Sequence, residues 1–359
     1  MRKELGSNFW ISADYFLGKT YDEQSILSAL GFGICNSFLF STCRQAIRFC
    51  LRDIASEQKI ALIPEFTCYS VITPFLQEGF DLEFYSTDRS LHVSSSHLNK
   101  LLNECNADVL LIHPYFGFDT LIVDEEIDGR AKVIFDQTQC QYSDVLYSFA
   151  DYTVSSLRKW ACVFDGAVAS KKGSFNQDFC FPVDKELEDR MLEASHLKSL
   201  YMEFDLGDKQ SFLRLFSEGS ELIRSRSSLY RMSDKSKIAQ GCLDIDLLMK
   251  RRRNNFASLL DFDWTQVGKP VFSVVERNIT PLYFPIYLHV ERSKFQRYLA
   301  DNNIYAPIIW PKPAYFDNMK LSATTQWIYQ NIISIPIDQR YDCTDMDRVK
   351  QVISCYEEF

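Results

Sequence analysis

Glycine is scarce in this chain, 13 residues of 359, and the glycine signatures that cradle phosphates are missing. There is no Walker loop and no GxSxG, and Gly31-Phe32-Gly33 is a lone GxG without the remaining dinucleotide-binding glycines. The five histidines (His92, His97, His113, His196, His289) form no HxxxH or HxH pair, so no metal site is expected. The 11 cysteines are scattered and include no CxxC. Reduced thiols in a cytoplasmic protein are therefore expected rather than a disulfide scaffold. No charged-then-apolar segment opens the chain. The most apolar stretch, Ile26 to Phe40, is about 15 residues long and falls short of the ~20 that a membrane helix needs. No membrane span is expected. With a net charge of -9 and one basic tetrad, Lys250 to Arg253, the chain is a poor nucleic-acid binder. The tetrad follows the helical "LDIDLLMK" and reads as a solvated helix end.

What the chain does have is alternation, and enough apolar residues (46%) for substantial cores. A helical "RQAIRFCLRDIAS" is followed by a strand "KIALIP", a helical "SVITPFLQEGF" and a strand "DLEFYSTD". The helix "SSHLNKLLNEC" and the strands "ADVLLIHPYFG" and "AKVIFDQ" come next. Short apolar strands between amphipathic helices predict an α/β fold, with a mostly parallel central sheet covered on both faces. In such sheets chemistry collects beyond the carboxyl ends of the strands. Polar residues stand at those places: Glu65 to Tyr69, His113 to Gly117, and Asp136 to Gln139. From Asp184 to Ser233 the text is charged and helical. After a long helix around 242–262 it turns to a small α+β pattern, with "TPLYFPIYLHV", "RSKFQRYLADNN", "IYAPIIWP" and "IISIPIDQRY". The predicted organisation is a large domain over 1–240 and a small one over 241–359.

Three places carry candidate chemistry. Ser41 and Thr42 precede a helical run, where a hydroxyl caps free amides. The same amides, with Arg44 nearby, would equally hold an anion. Asp136 ends an apolar strand, with Gln139 three residues on. It is either a turn cap or a carboxylate that keeps a heteroaromatic nitrogen protonated. Lys159 lies in the joint of "DYTVSSLRKWACVFDGAVAS", two apolar runs of which the second follows an Asp-Gly turn. Its neighbours are Leu157, Trp160, Ala161, Cys162, Val163 and Phe164. The ammonium must snorkel to water or accept a lowered pKa, and amine chemistry on carbonyls needs the second.

In their order these segments resemble the fold-type I pyridoxal-phosphate (PLP) enzymes, and among them the nucleotide-sugar aminotransferases of the DegT/StrS type. The resemblance rests on "STCRQAI", "ALIPEFTCYSVITPF", "HPYFG", "VIFDQTQ", "SSLRKW…DGAVAS" and "IISIPIDQRY". It implies that Lys159 holds PLP as a Schiff base and moves a proton between two carbons. Asp136 would pair with the pyridinium nitrogen, and Gln139 would lie near the ring hydroxyl. Thr42, Cys43 and Arg44 would cradle the phosphate, with a hydroxyl from Ser155 or, preferably, Ser156. The place of the usual ring-stacking aromatic falls on Cys68, with Phe66 and Tyr69 nearby. Arg44 stands where the family often has Thr. Leu229 in "SSLYRMS" replaces an asparagine that reaches the partner's phosphate, a task left to Ser227 or Ser228 and to Arg224, Arg226 and Arg231. The implied activity is amino transfer to a keto-sugar nucleotide, with glutamate as donor, in making surface polysaccharide or a glycosylated natural product. The implied unit is a homodimer with shared active sites. The alternatives are a PLP enzyme of the same fold with another reaction (lyase, dehydratase or amino-acid transaminase) or a non-catalytic regulator.

Overall fold

The structure is a computed structural model and describes residues 4–357. Its centre is a seven-stranded sheet. In chain order the strands are β1 (Ser37–Phe40), β2 (Ile60–Pro64), β3 (Asp81–Tyr85), β4 (Val109–Ile112), β5 (Lys132–Asp136), β6 (Tyr152–Ser156) and β7 (Ala167–Lys171). In space they run β1-β7-β6-β5-β4-β2-β3. All pairings are parallel except the two made by β7, which is antiparallel to both β6 and β1. Six strands therefore point the same way. The link from β6 to β7 explains the exception. At about ten residues it is too short for the helical crossover that a parallel return needs.

Central strands of a parallel sheet are covered on both faces and so read as continuous apolar runs. β4, Val-Leu-Leu-Ile, is buried at every position. Helix α1 (Cys43–Asp53) contains neither Gly nor Pro and buries Ala46, Ile47, Phe49, Cys50 and Leu51. The complete burial of Phe49 alone is worth about 2–3 kcal/mol. Helices α2 (Tyr69–Gln77) and α3 (Ser95–Cys105) follow β2 and β3 as the alternation requires. The charged stretch after residue 184 forms two helices, Lys185–Phe204 and Lys209–Ser225.

Beyond residue 260 an antiparallel sheet joins Gly268–Pro270, Phe284–Leu288 and Ile332–Ile335. The start of the chain packs there too, because Leu5–Gly6 pairs in parallel with Ile304–Tyr305. At Gly6 a side chain would sit 2.3 Å from the Tyr305 carbonyl oxygen, and φ is +91°, so the pairing depends on glycine.

One reading of the sequence is corrected. The tetrad Lys250–Arg253 does not end a helix in water. It lies inside the helix Ile245–Leu260, and Arg252 is buried, donating to the Leu282 carbonyl and to Gln339 Oε1. Of "IYAPIIWP", only Ile304–Tyr305 is strand, and the rest is a loop that carries Trp310. The helices Glu23–Ala29, Asp234–Gly241 and Ala323–Asn331 were not anticipated. No helix among the described residues is long and apolar enough to cross a membrane.

Candidate active site

The carboxyl ends of β1, β2, β4, β5 and β6 all face one edge of the sheet, and the residues just past them meet around a cavity of about 170 Å3. Thr42, Cys43 and Arg44 reach it from the start of α1, and Cys68 from the start of α2. His113 follows β4, Asp136 ends β5, and Ser156 ends β6. Gln139 and Lys159 line it from the short 3-10 turns after β5 and β6. Ile223 and Trp310 close it from distant parts of the chain.

Asp136 is buried and caps its own turn by accepting from the Thr138 N–H at 3.0 Å. Burial pushes its carboxyl above the usual range, against the pull of the Thr138 bonds and the charge of Lys159. A carboxylate held in this way gains most from a cation placed against it. Gln139 spends its carbonyl oxygen on the Phe116 N–H (2.5 Å), which leaves its amide nitrogen to donate into the cavity. Thr42 occupies the N-cap of α1 but makes no capping bond, so the first amides of the helix remain free for an anion.

Lys159 opens onto three adjoining cavities, and its side chain is exposed to them. Burial lowers its pKa, and the charges of Arg158 and Arg44 lower it further, opposed by the thiols of Cys68 and Cys43. The lysine thus reaches open cavity space and has its pKa lowered as well. The apolar joint depresses its pKa, and a neutral amine is the nucleophilic form. Arg44 is half-buried; desolvation lowers its pKa, and one guanidinium nitrogen lies 3.5 Å from the Ile223 carbonyl.

Two expected residues stay outside. Ser155 alternates to the other face of β6, fully buried, with its hydroxyl lacking a partner among the described residues. Tyr69 begins α2, is 49% exposed and does not line the cavity. The stretch around residues 218–233 departs from its expected part as well. Arg226 is paired with Asp184 and Glu186 of its own chain, and Leu229 is buried in the core. Arg224 remains largely exposed beside Glu221.

Several lining residues were missed as site residues, Thr138, His113 and Trp310 among them. Thr138, inside the Asp-x-x-Gln spacing, ties the site together. Its hydroxyl accepts from the Ser156 N–H at 3.0 Å and lies 3.7 Å from the Cys43 sulfur, while its carbonyl takes the Trp160 indole N–H at 2.8 Å. His113 was noticed only as a polar strand-end residue. It is buried and neutral, its pKa lowered to about 3 by desolvation, with Nε2 3.1 Å from the Thr67 hydroxyl and Nδ1 without a partner among the described residues. Trp310 packs edge-on against His113 at 5.2 Å and brings an aromatic ring to the cavity that Cys68 does not supply. The Asp-x-x-Gln spacing was a signal for Thr138; nothing local to "IIWP" pointed to Trp310.

No family model matches the chain, and no curated protein does. Solved structures do. The sugar aminotransferase CalS13 from Micromonospora echinospora is similar with a TM-score of 0.64 at 14% identity, over 98% of this chain and 99% of the other. PseC from Helicobacter pylori, an aminotransferase involved in the biosynthesis of pseudoaminic acid, gives 0.67 at 13%, over 99% and 100%. Spr1654 from Streptococcus pneumoniae in its PLP-form gives 0.63 at 12%, over 97% of each chain. The fold is thus that of the PLP-dependent aminotransferases of fold type I.

Proposed function

We propose that this chain is a PLP-dependent aminotransferase that moves an amino group from an amino acid, glutamate foremost, to a keto-sugar nucleotide. One observation carries the reading. A lysine of lowered pKa, a buried strand-end carboxylate and an outward-facing amide donor share a cavity with the free amides of a helix start. This donor set fits PLP group by group. The α1 amides with Thr42, Cys43, Arg44 and Ser156 suit its phosphate, Asp136 its pyridinium nitrogen, Gln139 its ring oxygen and Lys159 its aldehyde carbon. When bound, PLP supplies an electron sink for the carbon that carries the amino group.

The chain's own residues do the rest. Lys159, its pKa lowered by its surroundings, takes the proton from the donor's α-carbon and returns it one carbon away. Asp136 keeps the ring nitrogen protonated. Trp310 and His113 keep water from one side of the cavity. The donor leaves as its oxo acid, and its amino group ends on the former ketone carbon of the acceptor. The fold's likeness to CalS13 and PseC supports a sugar as acceptor, and with it a place in making amino sugars for a surface polysaccharide or a glycosylated natural product. A homodimer in the cytoplasm is the working form we propose, and the 11 free cysteines fit a reducing compartment.

The test is direct. Protein mixed with PLP should turn yellow, borohydride should bleach it, and peptide mapping should locate the reduced cofactor on Lys159. Lys159→Ala should lose the visible band and all transfer. A cofactor fixed to another lysine would refute the assignment of the site.

A further inference from the structure

The roles above leave one charged residue of the cofactor cavity without a task. Arg158 precedes Lys159 in the same turn, and its guanidinium makes no hydrogen bond or ion pair with any described residue. Its Nε is fully buried. Desolvation lowers its pKa to about 10, eased by Asp165 and worsened by Arg44. Asp165 is already taken, accepting from the Ser233 N–H at 3.1 Å and the Ser233 hydroxyl at 2.7 Å. Arg158 as a whole is half-buried, open to the cavities, and a guanidinium whose Nε is buried without an acceptor is costly unless an anion completes it.

The position of Arg158 narrows the choice of anion. With Lys159 it lines both the cofactor cavity and an adjoining cavity of about 520 Å3. Thr42, Cys43, Arg44 and Ser156, the residues suited to the cofactor's phosphate, line only the first. Among the described residues, Arg158 and Lys159 are the only charged groups lining the larger cavity, set among apolar walls such as Phe9, Phe164 and Phe216. Two other arginines near Lys159 are engaged: Arg252 with the Leu282 carbonyl and Gln339, and Arg340 with Asp338. Among the described residues, Arg158 is thus the one arginine reaching both cavities, and it can take a ligand without breaking an existing bond.

An α-amino acid carries its carboxylate on the very carbon that bears the amino group, one bond of about 1.5 Å away. Any donor whose α-carbon is within reach of Lys159 must bring that carboxylate into the space Arg158 faces. A keto sugar brings no charge there. We infer that Arg158 binds the α-carboxylate of the amino donor and selects amino acids over simple amines. The inference rests on the aminotransferase reading and adds the donor's receptor to it.

The test uses PLP-loaded protein and two amines that differ only in the group at issue: L-glutamate, and 4-aminobutyrate, which is glutamate without its α-carboxyl. Equilibrium binding of 2-methylglutamate, which has no α-proton to lose, is read from the shift of the visible band. Arg158→Gln should weaken 2-methylglutamate binding and raise the half-saturating glutamate concentration by about 30-fold or more, the usual effect of removing one partner of a buried charge pair. The reaction with 4-aminobutyrate and the affinity for PLP should stay within about threefold of wild type. Arg158→Lys should recover part of the loss, and it carries the test if the glutamine variant does not fold. Unchanged glutamate dependence would overturn the inference. So would a fall in PLP affinity with glutamate binding intact, which would make Arg158 a phosphate ligand. A wild-type protein that takes up no PLP would instead overturn the aminotransferase reading beneath it.

Discussion

Asp136→Asn removes one charge and almost no volume. The amide oxygen of asparagine can still accept from the Thr138 N–H, so the turn that delivers Gln139 should persist. Stability should therefore change by less than about 1 kcal/mol, the scale of one neutral hydrogen bond. The effect on chemistry should be far larger. A carboxylate about 3 Å from a pyridinium nitrogen attracts it by about 5 kcal/mol at an effective dielectric constant of 20. Burial already strains the ionised form of Asp136, so part of that attraction is offset by desolvation. A net loss of about 2–4 kcal/mol remains, which slows the step that needs a protonated ring by about 30- to 1000-fold. Single-turnover conversion of the bound cofactor by L-glutamate, followed by absorbance, measures this without the sugar. PLP should still bind to Lys159. A variant within threefold of the wild-type rate would mean that Asp136 is only the cap of its turn, and the electrostatic reasoning would fall.

Two further outcomes follow from the cavity walls and the buried amines. Trp310→Ala should weaken PLP binding by about 3- to 10-fold, and Trp310→Phe should restore it, because an aromatic contact is worth about 0.5–1.5 kcal/mol beyond its buried area; equal affinities by absorbance titration would exclude the indole as a ring contact. Lys198, buried and bonded to the Ser7 hydroxyl and the Asn8 carbonyl, has its pKa lowered to about 7 by burial first and then by Arg340 and Lys209, against Glu4 and Asp338. Between pH 7 and the ordinary lysine range the unfolded chain holds a proton that the folded chain has lost, so folding stability should rise with pH across that window. Urea unfolding of wild type and Lys198→Met should show a gap that widens in favour of wild type from pH 7 to pH 9.5, and a constant gap would refute the lowered pKa.

The fold was legible in the sequence where local pattern and tertiary role coincide. β2, β4 and β5 are apolar runs because both faces of each strand are covered, and their ends carry Cys68, His113 and Asp136 a few residues on. Lys159 was legible for the same reason. A charged residue in an apolar joint between two strands has few places to go. What escaped was set by distance. Trp310 and Ile223 reach the cavity from loops and helices whose own sequences say nothing of it. Arg252 misled because a run of four basic residues reads as surface, whereas this one spans a helix turn with one arginine aimed inward at carbonyls. Ser155 and Ser156 could be separated only by strand alternation, and the structure supplies that register by pairing Ser156 with Ala167 and Ser155 with Val168.

The departures from the resembled family form one pattern rather than several. Leu229, at the place of the asparagine, is buried, and its neighbours bind the chain to itself. The Tyr230 N–H donates to Gln45 Oε1 in α1, its carbonyl accepts from the Ser41 N–H, and Met232 N–H donates to the Leu39 carbonyl. This segment holds the start of α1 from within the same subunit. The preceding helix brings the Ile223 carbonyl to Arg44, while Arg226 is held by Asp184 and Glu186. An arginine in place of threonine at residue 44 puts a positive charge beside the anion site in the same chain that has given up the asparagine. We propose that the two changes compensate: the phosphate contact that the resemblance assigns to a neighbouring subunit's asparagine would come here from Arg44 of the same chain, leaving the segment around Leu229 as scaffold.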